Sequence, residues 1–174
     1  EVIERKAEFA AKLERLSESV DIESLVQQNS VTREGYLEAA ESLSKQRRQQ
    51  APILTQALER SLADLAMEQT RFAVVFQERS TTEAGWTERG LDQAEFYFSA
   101  NPGEELRPLA RTASGGELSR VMLALRTVTS TETVGRTLVF DEVDAGIGGE
   151  AAERVGAKLR HLADRYQVIC VTHL

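Results

Sequence analysis

The sequence predicts an α/β fold with a parallel βαβ core, preceded by a β-hairpin and by an α-helical segment of coiled-coil character. Three observations carry that expectation. The first third has little Gly or Pro punctuation and repeats its apolar residues at helical spacing. The middle holds two short runs rich in aromatic and β-branched residues, separated by a glycine-containing loop. The last third alternates apolar runs with amphipathic stretches, the pattern of strand, helix, strand.

In the first third, Val2, Phe9, Leu13, Leu16 and Val20 recur largely at intervals of four and three, a short coiled-coil seam. Asn29-Ser30 is expected to break that helix, and Thr32 to open a second one. In the second helix Leu37, Ala40, Leu54, Leu58 and Leu65 fall near a heptad stripe, interrupted by Ser44 and Arg47. Pro52 should kink it or mark where it meets the globular part. Residues 1–70 therefore read as an arm segment, the alternative being a helical hairpin on a domain surface. Lys45, Arg47 and Arg48 form a basic cluster that reads as a solvated face rather than a DNA contact.

Residues 71–174 read as an α/β lobe. Arg71–Phe76 and Ala94–Phe98 are strand-like, and Asn101-Pro102-Gly103 is a turn signal after the second. Trp86, between them, reads as a local hydrophobic anchor. A helix opening at Ser114 places Leu118, Val121, Met122, Leu125 and Val128 on one face. Thr137–Phe140 and Val168–Val171 are short apolar runs of the buried parallel-strand kind. Between them, Ala151–Ala163 is a helix with Val155, Leu159 and Leu162 on its inner side.

Composition narrows the function classes. A formal net charge of −7 argues against a surface that coats nucleic acid throughout. The single cysteine, Cys170, allows no internal disulfide and reads as a small core residue. No apolar stretch approaches the ~20 residues of a membrane span, and no targeting leader is visible, which points to the cytoplasm. The chain opens without an initiator Met or a cap and stops just after an apolar run, so it is expected to be a piece of a longer protein.

Chemistry concentrates in four places. Ser114-Gly115-Gly116-Glu117 reads as a capping box, Ser114 as N-cap and Glu117 reaching back. The box does not explain the two glycines, each costing a helix about 1 kcal/mol relative to Ala. Glycines in a first turn allow close approach to the backbone, and a helix N-terminus is an anion site that phosphate commonly occupies. Leu138–Phe140 is an apolar strand that ends in Asp141 and Glu142. A carboxylate there can hold Mg²⁺, directly or through water, and its neighbour can take a proton from a water attacking a phosphate. Ala145-Gly146-Ile147-Gly148 follows as a Gly-rich loop, and His173 ends the second apolar run.

That order resembles the ABC ATPase superfamily, with signature motif, Walker B, D-loop and switch histidine in turn. Within it the wording is closest to the RecN family of bacterial SMC-like double-strand-break repair proteins. Asn101–Leu109, Ala113–Leu125, Val139–Gly149 and Val171–Leu174 carry the resemblance; the helical first third agrees only in character. The resemblance implies the C-terminal half of an ABC/SMC-type P-loop ATPase head attached to part of a coiled-coil arm.

It implies Asp141 as the Mg²⁺ residue, Glu142 as general base, and His173 as sensor of the γ-phosphate. It further implies that Ser114, Gly115, Gly116 and Glu117 meet ATP held by a second copy of the protein, with Ala145 and Gly146 in the D-loop. DNA would be engaged by the intact protein at the bacterial nucleoid. Two features depart from the pattern. Gly148 stands where many ABC proteins carry Asp. No phosphate loop is present, since Gly85–Gly90 is followed by Leu91-Asp92 rather than Lys and Ser/Thr. These 174 residues alone are therefore expected not to hydrolyse ATP. Other readings are a different SMC-like ATPase (SbcC or chromosome-organising type), or a coiled-coil scaffold in which Asp141 and Glu142 are dispensable.

Overall fold

The helical segment, hairpin and βαβ unit follow one another as expected. The computed structural model describes residues 2–19, 22–78, 82–111, 115–129 and 135–172, with backbone alone at 17–19. Helix α1 spans Val2–Ser19 and α2 spans Ile22–Ala63. Strands β1 (Arg71–Phe76), β2 (Ala94–Ser99) and β3 (Arg107–Pro108) form an antiparallel sheet in that order. Helix α3 (Gly115–Thr129), strand β4 (Thr137–Asp141), helix α4 (Glu150–Ala163) and strand β5 (Gln167–Val171) complete the lobe. β4 and β5 pair in parallel, Thr137 opposite Gln167 and Asp141 opposite Val171.

The arm departs from expectation. α2 runs unbroken for 42 residues, through Asn29-Ser30 and through Pro52. Asn and Ser lower helix propensity by only about half a kcal/mol each, too little to end a long helix. Thr32 lies inside it and satisfies its hydroxyl on the Gln28 carbonyl one turn back, at 2.8 Å. Pro52 is exposed, so water can take the Arg48 carbonyl that loses its partner there. On α1, Val2, Phe9, Leu13 and Leu16 are all exposed. Val20, the last residue of that seam, lies outside the described residues.

The end of α2 is part of the lobe. Leu58, Leu62 and Leu65 join Phe72, Phe98, Val121, Leu123, Phe140, Val155 and Leu162 in one apolar cluster. Burying each such side chain contributes about 1.5–3 kcal/mol. The helix ends with Ala66 in the left-handed region (φ 59°) while the Met67 amide reaches back to the Leu62 carbonyl at 3.1 Å. This is a Schellman stop without the usual glycine, hence invisible to a search for one. Glu59 Oε1 then accepts the Phe72 amide at 2.9 Å, fixing the start of β1 on the helix.

The loop between β1 and β2 folds back onto α2. Trp86 stacks on Tyr36 with ring centroids 4.6 Å apart, and Arg33 lies over its ring. Trp86 is thus the local anchor its sequence context suggested. The Tyr36 hydroxyl donates to the Thr87 carbonyl and accepts the Thr87 amide, both at 3.1 Å. Asp92, its side chain 1% exposed, accepts from Ser44 Oγ at 2.8 Å and pairs with Arg48 at 3.3 Å and Arg47 at 3.8 Å. Two of the three cluster cations are therefore not a solvated face; they fasten the loop. Arg48 also covers the Phe76 ring.

Three further expectations are corrected. Of the face expected for α3, Val121 is buried and Leu125 and Val128 pack on the core, but Leu118 and Met122 are exposed, with Gly116, Arg120, Leu123 and Ala124 buried instead. The helix is rotated because it packs against α2, β4 and α4 together rather than a single surface. β4 and β5 are not buried on both faces: Val139 is 64% exposed, and Ile169 and Val171 are exposed too. Their parallel pair carries α3 and α4 on one side only among the described residues. Cys170 is exposed rather than in the core although it pairs with buried Phe140 and so lies on the covered face. Partial shielding and the Asp144 carboxylate push its thiol above the usual range, which works against a nucleophilic role.

Removing the buried Asp92 carboxylate strands Arg47 and Arg48, both of which still reach solvent. Asp92→Ala should lower folding stability by about 1–3 kcal/mol. Urea unfolding followed by circular dichroism checks it; an unchanged midpoint would mean that the loop is not fastened there.

Candidate functional site

The two carboxylates stand where the parallel pair ends. Asp141 closes β4 opposite Val171, and the Glu142 amide donates to the Val171 carbonyl at 3.1 Å. Both acidic residues are exposed. Ends of parallel strands are where α/β folds place ligands, because the backbone opens there into loops. β5 leaves the sheet beside the same two residues and continues into Thr172. His173 and Leu174 lie outside the described residues, as do Ala113 and Ser114.

Glu142 has a left-handed backbone, φ 53°. For a residue with a side chain this costs about 1–2 kcal/mol and persists only where the surroundings hold it. Its carbonyl accepts the Ala145 amide at 2.9 Å, and Asp144 accepts that of Ile147 at 3.3 Å. Gly146 takes φ 74°, so the chain can turn sharply before α4. Asp144 projects a carboxylate oxygen into a buried position with no hydrogen-bond partner among the described residues.

The glycine-rich start of α3 lies on this loop within the same chain. A Cβ at Gly115 would stand 2.6 Å from Glu142 Oε2. One at Gly116 would stand 3.0 Å from both the Glu142 carbonyl and the Ala145 Cβ. Gly116 thus has a packing reason beside any role in phosphate approach, whereas Gly115 faces only the movable end of the Glu142 side chain. The Glu142 carboxylate faces the first turn of a helix, whose partial positive charge favours an anion.

Two further residues of α3 hold the loop, and sequence reasoning passed over both. Ser119 Oγ donates to the Asp141 carbonyl. Arg120 Nη1 donates to the Ala145 carbonyl at 2.8 Å and to that of Val143 at 3.5 Å. Arg120 is only 8% exposed, and burial pulls its pKa down against the opposing influence of Glu117. The available signal was spacing: Gly116 and Arg120 are one helical turn apart and so share a face.

Among the described residues no three His, Cys, Asp or Glu side chains gather as a metal cage. The donors present suit Mg²⁺ in the manner it commonly binds, through one or two carboxylates completed by phosphate oxygens and water. Asp141, exposed at the end of β4, is the carboxylate that the sequence singled out for that role.

Curated relatives match the chain closely in sequence. The DNA repair protein RecN of Treponema pallidum is 42% identical over 177 aligned positions, covering all of this chain and 31% of its own length. That of Haemophilus influenzae is 43% identical, covering 97% of this chain and 29% of its own. This stretch belongs to the RecN family. RecN of Bacillus subtilis, at 33% identity, still aligns with 99% of the chain. The chain spans about a quarter to a third of the length of these RecN relatives. No protein-family model matches it. Among solved structures, the Smc head domain with a coiled coil and joint derived from Pyrococcus yayanosii is similar at 16% identity. Its TM-score is 0.48, over 98% of this chain and 30% of that one.

The glycines separate packing from flexibility. Gly116→Ala should destabilise by about 1–3 kcal/mol, because the new methyl meets backbone and the Ala145 side chain. Gly148→Ala, with open space around its Cβ position, should stay within about 0.5 kcal/mol of wild type. Paired denaturant titrations decide; equal effects would mean that α3 does not rest on the loop.

Proposed function

We propose that this chain is part of an ATP-hydrolysing, SMC-like protein acting in DNA double-strand-break repair and recombination. Membership of the RecN family supports the reading, and so does the left-handed, exposed Glu142 at the end of the parallel pair. Residues 1–70 would be a returning coiled-coil arm whose last turns enter the lobe, and 71–174 the C-terminal lobe of an ABC-type head. A phosphate loop is not among these residues, so ATP binding would require chain beyond them, and this piece alone would be inactive.

In the proposed site Asp141 contributes to holding Mg²⁺, which supplies charge neutralisation on the phosphates when bound. Glu142 accepts a proton from the water that attacks the γ-phosphorus as the bond to the β–γ bridging oxygen breaks. Ser114, Gly115, Gly116 and Glu117 present the start of α3 to ATP carried by a second copy. Ala145 and Gly146 line the D-loop between the two copies, and His173 senses the γ-phosphate. ATP would draw two heads together and hydrolysis would part them. DNA would be held by the intact protein. No helix among the described residues is long and apolar enough to cross a membrane.

Steady-state ATP turnover of the intact protein, wild type against Glu142→Gln, tests the reading. Losing a general base should slow turnover by roughly 10²–10⁴-fold while ATP still binds. Wild-type turnover in the variant would remove Glu142 from the chemistry.

A further inference from the structure

We propose that Arg120 is the positioning residue for Glu142, acting through the backbone of the loop that follows it; this rests on Glu142 being the base. The guanidinium is buried, yet its polar contacts are two main-chain carbonyls, Val143 and Ala145. Burying a cation is expensive, and an apolar side chain of similar size would fill the same volume without that penalty. What an apolar side chain cannot do is hold carbonyls of Val143 and Ala145 toward α3 at once.

Those carbonyls belong to the residues that set the conformation of Glu142. The left-handed turn at Glu142 is fixed behind by its amide on Val171 and by Ser119 on the Asp141 carbonyl. It is fixed ahead by the Ala145 amide on the Glu142 carbonyl. Arg120 anchors Val143 and Ala145, and Gly116 leaves room for the Glu142 carbonyl in between. Released from Arg120, residues 143–145 can shift and Glu142 can relax to ordinary backbone, which swings its carboxylate away. Displacements of about 1 Å suffice to slow a positioned reaction by ~10²-fold. Because Arg120 and Gly116 share one face of α3, anything that moves the start of that helix moves the base as well. The helix start and the base then work as one unit.

The test is a double-mutant cycle on the intact protein, with Arg120→Gln, Glu142→Gln and the pair, measuring ATP turnover and ATP binding. Arg120→Gln should lower kcat by about 10–100-fold with ATP affinity and KM within about twofold of wild type. Added to Glu142→Gln it should cause little further loss, since the proposed route runs through Glu142. Arg120→Lys, which keeps a charged donor but not the planar guanidinium, should fall between, and it carries the cycle should the Gln variant not fold. Wild-type kcat in Arg120→Gln beside a collapse in Glu142→Gln would overturn the proposal, and so would losses that multiply in the pair. Full turnover in Glu142→Gln itself would instead remove the base assignment on which the proposal stands.

Discussion

The first turns of α3 lie directly against the backbone of residues 141–145, and the candidate site is built on that contact. Three kinds of interaction meet there. Gly116 removes a side chain that would collide with the Glu142 carbonyl and with Ala145. Ser119 and Arg120 donate to carbonyls of Asp141, Val143 and Ala145. The Glu142 carboxylate in turn faces the helix start, where the backbone amides are electropositive. A strained turn and a buried cation are each unfavourable alone. Together each supplies what the other lacks.

The rest of the lobe serves to place the two sides of that contact. β4 and β5 bring Asp141 and Glu142 to one end of the parallel pair, and α4 returns the chain across it with Val155 and Leu162 buried. Lys158 on α4 reaches Asp64 at 3.1 Å and Ser61 at 3.3 Å, tying that helix to the end of α2. α3 packs on the same end of α2. Higher on α2, the loop carrying Trp86 and Asp92 braces the helix where it leaves the lobe.

Elements whose residues declare their own environment were legible in the sequence. β1 begins and ends where Arg71–Phe76 suggested, because aromatic and β-branched residues fit a pleated surface whatever surrounds it. α4 buries the expected Val155 and Leu162 because its two sides differ sharply in polarity. Features set by distant partners were not legible. The rotation of α3 depends on three neighbours, and Arg47, Arg48 and Asp92 find each other across more than 40 residues of sequence. The exposure of Val139, Ile169 and Val171 reflects a two-stranded sheet covered on one side, which an apolar run cannot disclose. At the site, the place of Asp141 and Glu142 at a strand end followed from the apolar run before them. Arg120 did not, since a lone Arg in a helix ordinarily faces water.

Hydrogen exchange over residues 141–147 of the intact protein tests the contact most directly. The Glu142, Ala145 and Ile147 amides all have main-chain acceptors although the segment is a mostly exposed loop. They should exchange far more slowly than an open loop, and Gly116→Ala should release them while the amides of β4 and β5 stay protected. Exchange at the open-loop rate in wild type, or protection indifferent to Gly116→Ala, would show that α3 does not hold Glu142 in place.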